Sequence, residues 1–261
     1  MKDLGQRRGA EAFHRYYETI YGERWPILAA ALAGESAPIA YDAGGAESYR
    51  LDAASVFAAE SLLLPEEGEV LDACAAPGGK SVVIASRMGP ATRLVANELS
   101  SERRRRLSEA LDRSLPPEAR ARVSVSGEDA GAMCRRNEGR FEAILLDAPC
   151  SSERHVLADP AALAAWGPAR PRQLAQRQWA LLSSAFLMLA PGGCLVYSTC
   201  SVNPGENDGV AARLAAKYGE RLRFDPPAFD GGERTEFGLV ILPDRAGGAG
   251  PMYVCRTLRR S

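Results

Sequence analysis

Short apolar runs alternate along this chain with longer stretches whose apolar residues recur at helical spacing. Residues 69–74, 93–98, 123–126, 141–148 and 194–199 read as strands. Residues 79–88, 101–113, 173–189 and 206–218 carry the helical pattern, with Ser100 placed to cap the second and Pro191-Gly192-Gly193 to close the third. Residues 239–242 and 252–256 are late strands that can pair antiparallel. Alternating strands and helices predict a doubly wound α/β sheet with its ligand crevice at the carboxyl ends of the strands. Near the N-terminus, Phe13, Tyr16, Tyr17, Tyr21 and Trp25 read as a helix packed on a core rather than a platform for stacked bases.

Reactive residues stand just past these runs. Cys150 follows the run ending in Leu146 and Asp147, and Cys200 follows the run ending in Tyr197. If both runs are neighbouring parallel strands, two thiols and a carboxylate face one crevice. Small, buried, inert cysteines are the plainer reading of each alone. The run 69–74 is followed by Cys74-Ala75-Ala76-Pro77-Gly78-Gly79-Lys80-Ser81, a small-residue loop opening a helix. Its glycines leave room for a ligand to approach backbone amides at a helix N-terminus. Gly79-Lys80-Ser81 supplies the end of a P-loop, but Cys74 holds the first glycine position, and no G-x-G-x-x-G occurs. Glu98, after the next run, stands where an acid takes ribose hydroxyls in nucleotide-binding sheets.

The segments LDACAAPGGKS, LLDAPCSSERH and VYSTCS, in this order, resemble the signature segments of the RsmB/Sun-type RNA (cytosine-5) methyltransferases. FHRYYETIYGERWPILAAAL and LDAASVFAAESLL are similar to the N-terminal part of the branch containing mitochondrial ribosomal-RNA and transfer-RNA enzymes. The resemblance implies a Rossmann-like methyltransferase fold. Its sheet would be mostly parallel and seven-stranded, with helices on both faces and a reversed strand near the C-terminus. Residues 1–60 would be a helical extension packed on a methyltransferase domain of residues 61–261. It implies S-adenosylmethionine as cofactor, held by residues 74–80, Glu98, Arg103, Asp129 and Asp147. It also implies an RNA substrate, ribosomal rather than transfer RNA, with a non-catalytic assembly factor of the same fold as the alternative. The common Pro-Cys-Ser-Gly pattern is replaced here by Pro-Cys-Ser-Ser-Glu-Arg-His.

Cytosine C5 is a poor nucleophile until a thiolate adds at C6, so the reaction wants a thiolate, a carboxyl group near N3 and a further group for release. Cys200, Asp147 and Cys150 can fill these roles. Spacing does not decide which cysteine attacks; the resemblance selects Cys200, with Cys150 assisting release. His155 reads as a polar loop histidine.

Charge is awkward for an RNA enzyme. The 261 residues hold 32 Lys and Arg against 33 Asp and Glu, a net charge of −1, whereas phosphate contacts dominate nucleic-acid affinity. Arg103 to Arg106 read as a solvated helix face, and Arg170, Arg172 and Arg177 as the better RNA-binding group. Weak intrinsic affinity, or an RNA-binding protein partner, is the expectation. No added RNA-binding domain, secretory signal, C-x-x-C pair, metal cluster or ~18-residue apolar span is legible, so the cytoplasm is the expected location.

Overall fold

The computed structural model describes residues 2–36 and 38–261, with side chains from Gly9 onward. Met1 and Ala37, both in the expected N-terminal extension, lie outside the described residues. Helices α1 (Lys2–Tyr21) and α2 (Trp25–Ala33) lead into a hairpin of β1 (Ile39–Tyr41) and β2 (Tyr49–Leu51) and then α3 (Ala53–Glu60). The alternating core follows: β3 (Glu67–Asp72), α4 (Gly79–Arg87), β4 (Ala91–Asn97), α5 (Ser101–Ser114), α6 (Pro117–Arg120), β5 (Val123–Ser126) and β6 (Phe141–Asp147). Next come α7 (Glu153–Ala158), α8 (Pro160–Ala164), α9 (Ala169–Met188), β7 (Leu189–Thr199) and α10 (Asp208–Tyr218). The short strands β8 (Leu222–Phe224), β9 (Gly232–Arg234) and β10 (Leu239–Ile241) precede β11 (Met252–Arg259).

The main sheet runs β5-β4-β3-β6-β7-β11-β10-β9, with β8 paired to the later part of β11. β5 through β7 are parallel, and β11 is antiparallel to β7. The chain leaves β3 in one direction toward β5 and returns to the other side for β6, which puts the switch point, and the crevice, between β3 and β6.

The apolar runs form strands because both their faces find cover. Val70, Leu145 and Val196 point into a core closed by α3, α4 and α5, while Leu71, Ile144 and Leu195 point into one closed by α9 and α10. A third core packs Phe13, Tyr17, Trp25, Leu28 and Leu32 against Val156, Trp166, Val202 and Leu242. The aromatic stretch therefore packs, as its spacing predicts.

Three features differ from the sequence reading. The sheet has nine strands rather than seven; β8 and β9 are Leu-Arg-Phe and Gly-Glu-Arg, polar edge pieces with no run to announce them. α9 begins at Ala169, four residues before the expected start, because Pro171 falls in its first turn, where a missing N–H costs nothing. Pro191-Gly192-Gly193 is not a helix stop. It lies in a bulge of β7, where the register passes from Phe141↔Leu189 to Ala143↔Cys194 and Gly192 takes φ +78°.

Candidate active site

The cofactor side of the crevice grows from the tips of β3, β4 and β5. After Asp72 the chain turns through residues 73–78 into α4, and Gly78 makes the turn at φ +120°. The loop is fastened to β4: Ala75 N–H donates to Asn97 O at 2.9 Å, and the Asn97 amide donates to Ala73 O at 3.1 Å. Arg103 donates to Ala76 O at 2.9 Å and stands 3.2 Å from Glu98, whose carboxylate also accepts from Ser100 N–H. These groups bound a cavity of about 340 Å³. Cys74, Ala76, Pro77, Glu98, Arg103, Asp129 and Asp147 all line it, as do Cys150, Cys200 and Arg177.

The remaining loop residues do not reach this cavity. Ala75, Gly79 and Lys80 face a smaller space on the far side of the loop, beside Tyr49 and Ser55. A Cβ on Gly79 would come within 2.6 Å of the Tyr49 ring, so its small size serves packing. A Cβ on Gly78 would meet Ala110 Cβ at 3.0 Å and Leu107 Cδ1 at 3.3 Å. A side chain at Gly78 would therefore press on α5. Burial pushes the Cys74 thiol up to about 12, so it is a neutral part of the wall.

Asp147 closes the other end. It is the register partner of Ser198, whose hydroxyl donates to Oδ1 at 2.9 Å, and Lys80 Nζ lies 2.8 Å from Oδ2. Burial pulls the lysine down, yet Asp147 more than offsets it and the net shift is upward, which keeps the lysine charged. Asp147 lines both spaces and so joins them.

Beyond Asp147 the two thiols meet. Cys150 Sγ and Cys200 Sγ are 3.0 Å apart, and Ser152 Oγ is 3.0 Å from Cys200 Sγ but 3.6 Å from Cys150 Sγ. Cys200 is shifted downward: the bond from Cys150 stabilises its thiolate, burial opposes, and the Ser152 bond adds to the first effect. Cys150 is pushed well up by the bond to Cys200 and by burial, so it remains the thiol donor of the pair.

A polar network missed by sequence reading fixes both cysteine loops. Glu206 accepts from Ser151 N–H at 3.0 Å, from the Ser151 hydroxyl and from the Gln178 amide at 2.8 Å. Glu153 accepts from the Tyr17 hydroxyl, from Ser201 Oγ at 2.9 Å and from Val202 N–H at 3.0 Å. Both glutamates are fully buried; burial pushes Glu153 up to about 7 and raises Glu206 as well. Apart from the unusual Ser-Ser-Glu segment, nothing local marked these residues.

Arg170, Arg172 and Arg177 do not form one surface. All are exposed, but only Arg177 reaches the cavity. At 3.6 residues per turn Arg170 shares its face of α9, and Arg172 is turned roughly 140° from it. His155 is exposed beside Cys200, in an outer space of about 420 Å³ lined also by Arg154, Asp52 and Ser152. Among the described residues no group of three His, Cys, Asp or Glu side chains is placed to hold a metal ion, and no helix is long and apolar enough to cross a membrane.

The strand order and a crevice at its switch point define a Rossmann-like methyltransferase fold. Two solved structures from Pyrococcus horikoshii share it: a methyltransferase homolog protein (TM-score 0.73, 19% identity, 92% of each chain) and NSun6 (TM-score 0.68, 22% identity, 83% of this chain and 54% of that one). The latter was solved with SFG, an S-adenosylmethionine analogue. The chain belongs to the 16S rRNA methyltransferase RsmB/F family, whose sequence signature matches residues 60–254. A ribosomal RNA small subunit methyltransferase F from Aeromonas salmonicida is 40% identical over 178 residues, 68% of this chain and 36% of that relative. One from Salmonella paratyphi B is 41% identical over 157 residues, 60% and 32% of the two chains. The matched part thus spans about a third of the length of these relatives.

The cavity suits the family's cofactor. Glu98 at the tip of β4, Asp129 beyond β5 and Asp147 at the end of β6 all line it.

Proposed function

We propose that this chain is an S-adenosylmethionine-dependent RNA methyltransferase that forms 5-methylcytosine, in ribosomal RNA, through a covalent bond between Cys200 and cytosine C6. The observation that carries this reading is the thiol pair. Two half-buried cysteines stand 3.0 Å apart with the Ser152 hydroxyl 3.0 Å from Cys200 Sγ, on a wall shared with a nucleotide-sized cavity and an ion-paired aspartate.

Cys200 is the attacking group because its thiolate is the stabilised one. Its addition at C6 makes C5 nucleophilic, and S-adenosylmethionine, when bound, supplies the methyl group that C5 takes. Charge developing on the ring meets the Lys80–Asp147 pair. Asp147, held by Lys80 at 2.8 Å and by Ser198 at 2.9 Å, lines the cavity with the thiols and is the member of the pair that faces the cytosine amino group and N3. Once a base removes the C5 proton, Cys200 leaves, and the Cys150 thiol 3.0 Å away stabilises the departing thiolate.

A target cytosine must leave any stack to present C5 and C6, which costs a few kcal/mol and favours unpaired sites. Arg177 at the cavity and Arg170 on the same helix face suit the flanking phosphates; Arg172 suits a more distant part of the RNA. The net charge of −1 favours RNA affinity supplied partly by another protein.

The test is methyl transfer from labelled S-adenosylmethionine to small-subunit ribosomal RNA, with bisulfite sequencing to locate the product. One or a few new 5-methylcytosines are expected. Label on transfer RNA alone would move the substrate class, and absence of label from every RNA would leave an assembly factor with the same fold.

A further inference from the structure

Ser152 is the only non-glycine among the described residues with positive φ, at φ 51° and ψ 60°. A left-handed conformation costs an L-residue with a Cβ roughly 1–2 kcal/mol relative to glycine. Strain of this kind persists only where the surroundings over-determine it, and here they do so from both sides. Ser151, before it, is fastened by its N–H and its hydroxyl to buried Glu206. Glu153, after it, is fastened to Ser201, to Val202 N–H and to Tyr17 of α1. The same helix takes hold of the Cys200 loop directly, since the Tyr21 hydroxyl donates to Val202 O at 2.5 Å and Asn203 donates to Tyr16 at 3.0 Å. What the strained conformation achieves is local: it aims the Ser152 hydroxyl at Cys200 Sγ, 3.0 Å away.

We propose that Ser152 is a further catalytic residue, whose hydroxyl donates to the Cys200 thiolate from a left-handed backbone held by Glu206, Glu153 and Tyr17. A glycine would take this backbone without strain but would leave the sulfur with one donor instead of two. Stability is given up so that a donor can stand there. The helix α1, which precedes the family-matched residues 60–254, thereby acts on the reactive sulfur through Tyr17 and Glu153, which are positioning residues.

The other groups facing Cys200 are Cys150, Asp147, Glu153 and Lys80, with Arg154, His155 and Asp52 across the outer space. Removing the Ser152 hydroxyl leaves all of them in place, so a change in Cys200 reactivity would report the lost bond.

The proposal rests on the methyltransferase reading only for its rate measurement, so the test includes one that needs no RNA. Alkylation of Cys200 by iodoacetamide, followed by peptide mapping across pH, measures its thiolate fraction. In Ser152→Gly the thermal midpoint should rise, while the pH midpoint of Cys200 alkylation also moves up. On RNA, kcat should fall by about a hundredfold, the lower end of the scale for losing one preorganised donor, with KM for RNA unchanged. Ser152→Thr should restore kcat relative to Ser152→Ala, because it returns the hydroxyl, although its branched side chain lowers the thermal midpoint. Tyr17→Phe should move the alkylation midpoint upward without touching residue 152. If alkylation and kcat in Ser152→Gly match the unaltered protein, the role of Ser152 is wrong. If no protein, unaltered or variant, methylates RNA but the alkylation shift persists, the donor stands and the methyltransferase reading falls.

Discussion

The two halves of the crevice are built differently. The cofactor half is a contiguous loop, residues 73–78, held by the carbonyl and the side-chain amide of Asn97 and by Arg103, with Glu98 and Asp129 past the neighbouring strand tips. The thiol half is assembled from Pro149–Ser152, Cys200–Asn203, Gln178 of α9 and Tyr17 of α1, joined by two fully buried carboxylates. A ligand pocket needs close backbone approach, which small residues give cheaply. Holding two sulfurs 3.0 Å apart needs rigid side-chain supports from several directions. One half can therefore be read from a motif, and the other only from the fold.

Asp147 belongs to both halves, so changing it should do most to erase the difference. Asp147→Ala frees Lys80 and removes the group facing the ring; methyl transfer should fall by roughly a hundredfold or more. S-adenosylmethionine affinity should change far less, as calorimetry can show. Glu98→Ala acts on the cofactor half alone. Loss of a charged hydrogen bond should weaken cofactor binding by about 1.5–3 kcal/mol and leave Cys200 alkylation untouched. A matching change in alkylation would mean that the halves are coupled beyond Asp147.

Gly78→Ala sharpens the comparison in another way. Its φ of +120° and its contact with Ala110 predict a loss of about 1–2 kcal/mol in folding stability, read by urea denaturation. Cofactor affinity of the folded fraction should be kept, because the added methyl points to α5.

The last effect expected is a slope spread over several pH units. Glu153 and Asp72 are both pushed up to about 7 by burial, from ordinary values of 4.5 and 3.8. With the folded value above the unfolded one, each contributes stability that is full below its ordinary value and lost as pH rises through about 7. Urea midpoints should therefore decline from about pH 4 to about pH 7 and level off above it. Glu153→Gln should flatten part of that decline, leaving the part due to Asp72, whose carboxyl lies on the cofactor side against Ser81. An unchanged slope would contradict the burial argument for Glu153.

These contrasts also explain what was legible in the sequence. Four of the five parallel strands were visible because each holds an apolar run buried on both faces, β5 being a partly exposed edge strand of Val-Ser-Val-Ser, and Cys150, Cys200 and Asp147 because they follow or end such runs. Glu98 was visible as the acid that follows the next apolar run, the family resemblance added Arg103 and Asp129, and all three line the cavity. That Gly78 and Gly79 also let the loop pack on α5 and Tyr49 is not legible, since spacing cannot tell which neighbour comes close. Ser152 was seen only as a departure from a pattern; its backbone conformation and its bond to Cys200 depend on anchors up to 136 positions away, as Tyr17 is from Glu153. Pro171 and the bulge at Gly192 misplaced the ends of α9 and β7, because proline and glycine mark breaks without saying of which kind.

The most direct test is which thiol bonds to RNA. Cys200→Ala and Cys150→Ala proteins are each incubated with labelled ribosomal RNA and S-adenosylmethionine, then run on a denaturing gel. The geometry predicts no shifted band and no methylated product with Cys200→Ala, because the stabilised thiolate is gone. It predicts a persistent protein–RNA band with Cys150→Ala, because the thiol that eases release of Cys200 is gone. A trapped band with Cys200→Ala and none with Cys150→Ala would contradict the account and make Cys150 the nucleophile.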